Sequence, residues 1–310
     1  MRVVHPPHAM SHSHPPPELP PARARALLRV LGRLPQGALS RAFGRLADTP
    51  LPRPLRRPVL GAFARAVGAD VSECELPLEE YPTLNRFFVR KLRQGARSWP
   101  MDPRTAASPV DGVFGQVGRV AEGKLIQAKG RLYTLAGLLD DGAGWERFEG
   151  GTFATIYLSP RDYHRIHSPC DGGVGRARHI PGALLPVNAP AVAHLPELFA
   201  RNERLLAYID GPLGRVAMVA VGAYNVGRIS AAFDPAWNAP AGASSWVTNR
   251  RGHAPATRTY DPPVPIRQGD EIMTFHLGST VVLVFEPGVE LAEASVAGAP
   301  VRLGAAIANG

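Results

Sequence analysis

Residues 275–285 read Phe-His-Leu-Gly-Ser-Thr-Val-Val-Leu-Val-Phe, a Gly-Ser step followed at once by a strongly apolar run. An apolar run of this length that is rich in β-branched residues predicts a buried strand. The Gly278-Ser279 step has two interpretations. It is a turn that leads into the strand, or it is a self-processing site, because a serine hydroxyl can attack the preceding carbonyl and glycine has no Cβ to hinder the attack. The step alone does not decide between them.

Strands of the same kind recur along the chain from about residue 108. Short β-rich runs alternate with Gly and Pro at 113–120, 153–158, 173–179, 205–208, 216–221, 272–275 and 280–285. Residues 82–92 are predicted to form a helix, residues 134–139 one or two helical turns, and residues 238–263 a long polar loop. The pattern predicts an α+β fold in which N-terminal helices precede a β-rich domain.

Composition excludes several classes of protein. The chain has 310 residues, of which 45% are hydrophobic and 20% are charged, so it is long and apolar enough to bury a core and is not disordered as a whole. It contains no run of eighteen apolar residues and no apolar centre of a secretory signal, so we expect it on the cytoplasmic side. Its two cysteines, Cys74 and Cys170, exclude a disulfide framework and a four-cysteine zinc site.

Most of the net charge of +9 lies in one segment, residues 20–70, which holds ten arginines against Asp48 and Asp70. Such a basic segment suits a polyanionic surface. Residues 1–19, before it, are rich in histidine and proline and are predicted to be a disordered tail.

The basic segment is predicted to form three short amphipathic helices. In the third, Leu60, Phe63 and Val67 lie opposite Arg57 and Arg65. Three interpretations follow: helices lying in the interface of an anionic bilayer, a helical cap docked on the core with a solvated arginine face, or a nucleic-acid surface. Nucleic acid is the weakest, because no aromatic residues alternate with the arginines to stack on bases.

A further segment, Ser-Pro-Val-Asp-Gly at residues 108–112, leads into a predicted strand. Proline, aspartate and glycine are turn residues, so a turn explains this pattern without any chemistry. The functional interpretation makes Asp111 a catalytic carboxylate. On its own, the segment favours the turn.

Two histidines stand close together in residues 161–172. His164 and His167 are three residues apart and are predicted to share one face of a helical turn, which would present a base and an acid or two ligands of a metal ion. Cys170 and Asp171 are weak candidates for a further ligand. The alternative is a pair of histidines hydrogen-bonded within a turn.

Taken together, these motifs resemble the phosphatidylserine decarboxylase family, in its short bacterial membrane-bound form, over about residues 70–288. The resemblance is carried by Leu84-Asn85-Arg86-Phe87-Phe88-Val89-Arg90, Ser108-Pro109-Val110-Asp111-Gly112, Gln127-Ala128-Lys129-Gly130 with Tyr133, Tyr163-His164-Arg165-Ile166-His167-Ser168-Pro169, Val221-Gly222-Ala223 and Leu277-Gly278-Ser279-Thr280.

The resemblance implies a proenzyme that cleaves itself between Gly278 and Ser279. The β chain would end at residue 278, the α chain would span 279–310, and Ser279 would become a covalent pyruvoyl cofactor. It further implies a self-cleavage triad of Asp111, His167 and Ser279. In that triad His167 takes the hydroxyl proton, Asp111 fixes the tautomer of His167, and Ser279 attacks.

In this family the pyruvoyl ketone forms a Schiff base with the amine of phosphatidylserine and draws off the electrons released with CO₂, which gives phosphatidylethanolamine. His164 is our candidate for the general acid that returns a proton to Cα. Three alternatives stay open: a pyruvoyl decarboxylase of a soluble amino acid, a zinc hydrolase that uses His164 and His167, and a membrane-binding module that never matures. The basic helices favour the lipid substrate.

The predicted organisation is therefore a tail at 1–19, membrane-binding helices at 20–70 and a catalytic domain at 71–310. We expect an α/β heterodimer made from one precursor, with a dimer of these as an option, and neither a metal nor a nucleic-acid partner. We expect it to lie peripherally on the cytoplasmic face of the cell membrane, bound to phosphatidylserine in an anionic bilayer.

Overall fold

The computed structural model describes residues 36–128, 131–140, 142, 144–223, 228–237, 248, 254–276 and 280–310. The predicted tail, the first predicted amphipathic helix, the Gly278-Ser279 step and most of the predicted loop at 238–263 lie outside these residues. The loop prediction is wrong for residues 256–263, because they belong to a strand, Ala256–Ile266, that pairs with residues 172–179. Short helices and many antiparallel strands make up the described part, so the predicted α+β class is confirmed.

The described helices are short, as the frequent prolines and glycines predict. They are α1 (Gln36–Ala47), α2 (Arg53–Val67), α3 (Leu84–Phe88), α4 (Leu135–Leu139), α5 (Ala189–His194) and α6 (Leu198–Arg201), with single 3₁₀ turns at Leu78–Glu80 and Trp145–Phe148.

The strands cover most of the chain after residue 104. They are β1 (Thr105–Ala107), β2 (Gly112–Arg119), β3 (Lys124–Ala128), β4 (Arg131–Thr134), β5 (Thr152–Tyr157), β6 (Arg165–His167), β7 (Gly172–Ile180), β8 (Arg204–Gly211), β9 (Gly214–Val221), β10 (Ile229–Ala231), β11 (Ala256–Ile266), β12 (Glu271–Phe275), β13 (Thr280–Phe285), β14 (Glu290–Leu291), β15 (Pro300–Val301) and β16 (Ala306–Asn309).

One eight-stranded antiparallel sheet organises the domain, in the order β11-β7-β8-β9-β13-β5-β2-β15. The apolar run that follows the Gly-Ser step is β13, in the middle of this sheet. Its residues alternate between two cores, with Val281, Leu283 and Phe285 in one and Val282 and Val284 in the other. A strand covered on both faces needs apolar residues at every position, which explains the unbroken run.

Three small sheets complete the fold, in the orders β10-β12-β6, β1-β16-β14 and β3-β4. The first of these carries the histidine segment, because β6 pairs with β12 just before β12 leads toward the Gly-Ser step. Local sequence begins and ends α2 cleanly. Pro54 lies in its first turn, and Gly68 ends it with a φ of 76°, in the left-handed region that glycine accepts without strain.

The apolar face predicted for α2 docks on the rest of the protein. Leu60 is fully buried, and the ring of Phe63 packs edge-on against Phe87 of α3 at a centroid distance of 6.2 Å. Aromatic pairs prefer this geometry. The docked-cap interpretation therefore describes this face of α2. A different set of apolar side chains is exposed, namely Phe43, Leu46, Leu55 and Val59.

Among the described residues, no helix has both the length and the hydropathy that crossing a membrane requires.

Candidate active site

Strand register brings the Asp111 motif to the same edge of the main sheet as the start of β13. Thr280, the first residue of β13, pairs with Tyr157, and Tyr157 also pairs with Val113 at the start of β2. Adjacent strands lie about 4.8 Å apart, so the starts of β13 and β2 are separated by about 10 Å across the sheet. Asp111 therefore lies near the point where the chain emerges from the Gly-Ser step.

The histidine segment is a strand, and the prediction that His164 and His167 share one face of a helical turn is wrong. Residues 165–167 form β6, whose hydrogen bonds to β12 hold the chain extended. In an extended chain, residues three apart point to opposite faces. The two histidines therefore have different surroundings, and we treat them as separate groups.

His164 is fully buried against the ring of Phe88, at a centroid distance of 4.0 Å. Its Nδ1 lies 2.8 Å from the carbonyl oxygen of Asp162. Because a carbonyl only accepts, Nδ1 carries the proton and Nε2 has a bare lone pair. Nε2 has no hydrogen-bond partner among the described residues. Burial lowers the pKa of His164 to about 3, so the ring is neutral at physiological pH.

The backbone of His164 is hydrogen-bonded to the strand that precedes the Gly-Ser step in the chain. The carbonyl of His164 accepts a hydrogen bond of 2.9 Å from the amide of Phe275, the last residue of β12. Phe275 stands three residues before Gly278. His164 is thus positioned by the strand that runs into the predicted cleavage site.

His167 has both ring nitrogens occupied. Nδ1 lies 2.6 Å from the carbonyl oxygen of Gly269, and Nε2 lies 3.0 Å from the hydroxyl of Tyr163. The ring stacks on Tyr163 and leans against Trp99, at centroid distances of 5.6 and 5.9 Å. Burial lowers the pKa of His167, which favours the neutral imidazole that a general base requires.

The Asp111 carboxylate accepts hydrogen bonds from groups other than the His167 ring. Oδ2 accepts a hydrogen bond of 2.6 Å from Nη2 of Arg97, and Oδ1 accepts one of 2.8 Å from the amide of Leu303. Arg97 also pairs with Glu73 at 3.0 Å, so it joins two carboxylates. Within the described part of the chain, the Asp111 carboxylate and the His167 ring do not share a hydrogen bond.

A cavity of about 330 Å³ lies beside Asp111. Asp111 and Tyr163 both line it, together with Arg90, Arg161 and Arg302. Tyr163 therefore contacts the cavity and the His167 ring at once. Burial, aided by the Asp111 charge, raises the pKa of Tyr163 and keeps its hydroxyl protonated.

Another histidine, His276, is partly buried and precedes Gly278 by two residues, and the sequence analysis did not select it. Its Nε2 lies 3.2 Å from the hydroxyl oxygen of Ser230, and burial, with the Arg228 charge, lowers its pKa to about 4. Arg228 also forms an ion pair with Asp48, which follows α1. The N-terminal helices are thus tied to the segment that enters the site.

Gly269 and Arg97 were also missed by the sequence analysis. Gly269 lies 102 residues from His167, and Arg97 lies 14 residues from Asp111 with no motif around it. No local pattern marks such contacts. For His276 a signal was present, since it stands in the same apolar segment as Gly278.

Within the described residues, no group of three or more His, Cys, Asp or Glu side chains is arranged to hold a metal ion. The opposed directions of His164 and His167 also separate the two proposed ligands. The zinc hydrolase interpretation is therefore not favoured.

Two histidines whose pKa values are lowered by burial and a carboxylate beside a cavity are features typical of an enzyme active site. Comparison with known proteins gives the family. The family model described as phosphatidylserine decarboxylase matches residues 84–309. The chain belongs to the phosphatidylserine decarboxylase family, as its motifs predicted.

Curated relatives match along nearly their whole length. A phosphatidylserine decarboxylase proenzyme of Anaeromyxobacter sp. (strain K) is 46% identical over 281 residues, which cover 90% of this chain and 96% of the relative. A proenzyme of the same name from Myxococcus xanthus (strain DK1622) is 40% identical over 263 residues, covering 85% and 90%. One from Acidovorax ebreus (strain TPSY) is 43% identical over 279 residues, covering 89% and 94%.

Proposed function

We propose that this chain is a proenzyme that cleaves itself at Gly278–Ser279 and then decarboxylates phosphatidylserine to phosphatidylethanolamine and CO₂ in phospholipid biosynthesis. One observation carries the proposal: the family match spans residues 84–309 without interruption, and so includes Asp111, both candidate histidines and the Gly278-Ser279 step. The relatives it resembles are named proenzymes. A soluble amino-acid substrate and a module that never matures are not favoured.

Self-cleavage begins with attack of the Ser279 hydroxyl on the carbonyl carbon of Gly278, which converts the peptide bond into an ester. His167 is the base in our proposal. Its proton lies on Nδ1, so the lone pair of Nε2 can take the hydroxyl proton once the hydrogen bond from the Tyr163 hydroxyl to Nε2 is broken. Elimination of the ester and hydrolysis of the resulting dehydroalanine release ammonia and leave the new end of the α chain.

Asp111 is the third residue of the self-cleavage group in our proposal. The imidazolium that forms when His167 takes a proton is stabilised by a negative charge nearby. Asp111 supplies such a charge, and Arg97 with the Leu303 amide holds it in place. Its action on His167 is thus electrostatic, through the cavity that Asp111 shares with Tyr163.

The residues around the Gly-Ser step suit a pyruvoyl group at position 279. Nε2 of His164 and Oγ1 of Thr280, the residue next to Ser279, are among the buried polar atoms that have no hydrogen-bond partner within the described residues. Buried polar atoms are rarely left so, and these two support a polar group at position 279. When present, the pyruvoyl group supplies a carbonyl that accepts the electrons released with CO₂.

His164 moves a proton during decarboxylation in our proposal. Its Nδ1–H is held by the Asp162 carbonyl, so proton exchange takes place at Nε2. The neutral ring must gain a proton before it can return one to Cα after CO₂ has left. This order follows from the lowered pKa, because the ring starts without a proton to give.

The exposed outer face of α1 and α2 supports peripheral membrane binding. Phe43, Leu46, Leu55 and Val59 are exposed, and the arginines around them, such as Arg57, are exposed as well. Apolar side chains that enter the interface and cations that meet anionic lipids act together, at about 1 kcal/mol for each arginine near the surface. We place this face on the cytoplasmic leaflet.

Intact mass and denaturing electrophoresis of the purified protein test the proposal. We expect two chains, with the smaller one covering residues 279–310 and starting with a carbonyl group. We expect Ser279→Ala to remain one chain and to lack decarboxylase activity. Borohydride with phosphatidylserine present should trap substrate on the α chain. An active wild-type protein that is uncleaved and gives no reducible adduct would contradict the proposal.

A further inference from the structure

The contacts of His167 define where its proton lies. The Gly269 carbonyl oxygen can only accept a hydrogen bond, so at 2.6 Å the Nδ1 atom must be the donor. The neutral ring then has its lone pair on Nε2, and the Tyr163 hydroxyl donates to it at 3.0 Å. Both contacts agree on a single tautomer. It is the tautomer that a base acting through Nε2 needs.

The Gly269 carbonyl is aimed by a backbone conformation that suits glycine. Its φ is 89°, in the left-handed region, within a turn closed by the Asp270 amide, which donates to the Arg267 carbonyl at 3.0 Å. The Gly269 amide donates to the Ser168 carbonyl at 3.0 Å, which ties this turn to the segment that follows His167. A Cβ atom placed on Gly269 would lie 2.7 Å from Cε2 of Trp99. Trp99 is one of the two rings that flank His167, so the glycine, the indole and the imidazole form one packed unit.

Asp111 does not make this contact. Its oxygens accept hydrogen bonds from Arg97 and the Leu303 amide, and among the described residues neither oxygen is paired with the His167 ring. Nδ1 of His167, the atom that the family resemblance would pair with Asp111, lies on the Gly269 carbonyl instead.

We propose that the backbone carbonyl of Gly269 is the positioning group that sets the tautomer and orientation of His167, with the Tyr163 hydroxyl holding the opposite nitrogen. This inference rests on the proposed function, in which His167 is the base of self-cleavage. Asp111 then contributes charge and leaves the ring's protonation pattern unchanged.

The direct test is nitrogen NMR of the full-length protein labelled at its histidine nitrogens, because the chemical shifts of Nδ1 and Nε2 distinguish the two tautomers. The chain carries Ser279→Ala so that it stays in one piece, and a His167→Gln variant identifies the His167 signals. We expect the Nδ1–H form at neutral pH, and we expect the same form after Asp111→Asn. A switch to the Nε2–H form in Asp111→Asn would overturn the proposal. This measurement does not depend on whether the protein cleaves itself, so the two proposals fail separately.

Gly269→Ala tests the positioning group itself. Gly298→Ala is the matched control, because Gly298 has a similar φ of 86° but no atom within 4 Å of an added Cβ. In the Ser279→Ala background, we expect Gly269→Ala to lose the pure Nδ1–H form and Gly298→Ala to keep it. With Ser279 intact, we expect Gly269→Ala to slow self-cleavage about 100-fold, the lower range for a positioned general base, and Gly298→Ala to change it less than about 2-fold.

Gly269→Ala with an unchanged tautomer would refute the assignment. If Gly269→Ala does not fold, the Asp111→Asn spectrum still tests whether Asp111 fixes the tautomer of His167. If the Asp111 carboxylate fixed the tautomer, its conversion to an amide would change the tautomer. The pH dependence of cleavage gives an independent readout. The Gly269 carbonyl raises the pKa of His167, so a folded Gly269→Ala protein should keep its residual cleavage to lower pH than the wild type does.

Discussion

Replacing Arg97 by methionine should destabilise the precursor strongly, because Arg97 joins two partly buried carboxylates. Its side chain is only 7% exposed and lies 2.6 Å from Asp111 and 3.0 Å from Glu73, whose side chains are 16% and 20% exposed. Breaking a buried ion pair by removing one partner costs about 3–5 kcal/mol, since a charge is left unpaired. The residual exposure of the carboxylates places our estimate at the low end, about 3 kcal/mol.

The assay is urea unfolding of the Ser279→Ala chain, followed by circular dichroism at neutral pH. Arg93→Met is the matched control, because Arg93 is an exposed arginine in the same segment. We expect that control to change the free energy of unfolding by less than about 0.5 kcal/mol. In an Arg97→Met/Asp111→Asn double variant, part of the loss should return, because the unpaired Asp111 charge has gone, whereas Glu73 keeps its ion pair with Arg302 in both variants.

Equal stability of Arg97→Met and Arg93→Met would refute this argument. It would mean that solvent already screens Asp111 and Glu73, so that the Arg97 bridge does not organise the site.

Three further predictions concern catalysis, pH and the membrane. His164→Ala should still cleave itself but lose about 100-fold in decarboxylation, as expected for a proton-transfer group; accumulation of uncleaved precursor on electrophoresis would contradict this division of roles. His164 and His276 have pKa values of about 3 and about 4, below the value of about 6.5 in an unfolded chain. Between pH 6.5 and 4 the unfolded state therefore binds more protons, and the free energy of unfolding should fall by about 2 kcal/mol per histidine from pH 7.5 to 5, as denaturant unfolding can measure; a flat profile would count against it. The double variant Leu46→Asp/Leu55→Asp should sediment less with anionic vesicles, and added salt should weaken its binding further. Val296→Asp, which changes an exposed residue outside the helices, should sediment as the wild type does. Equal binding of the two variants would argue against the membrane face.

The α+β class, the central strand and the family were accessible from the sequence, because each is encoded locally. Residues 281–285 are apolar at every position, and an uninterrupted run of that kind rich in β-branched residues predicts a buried strand. The family motifs are likewise short and contiguous. Residues 134–139 follow the same rule, since Thr134 caps the helix Leu135–Leu139 through its own side chain.

The histidine segment shows where local reasoning failed. Residues 163–167 contain no strong helix or strand signal, so their conformation depends on a partner. That partner is β12, about 106 residues later, and the hydrogen bonds between the two strands hold β6 extended. A spacing of three residues then separates the two histidines instead of joining them.

The working contacts of the site were decided by the tertiary structure alone. His167 meets Gly269 across 102 residues, and Asp111 meets Leu303 across 192. Sequence motifs identify which side chains carry chemistry, because reactivity belongs to the residue type. They do not identify which donor or acceptor faces each side chain, because that depends on the register of strands and turns that are distant in the chain. For this reason Asp111 and His167 were found from the sequence, while their hydrogen-bond partners became apparent only in the folded protein.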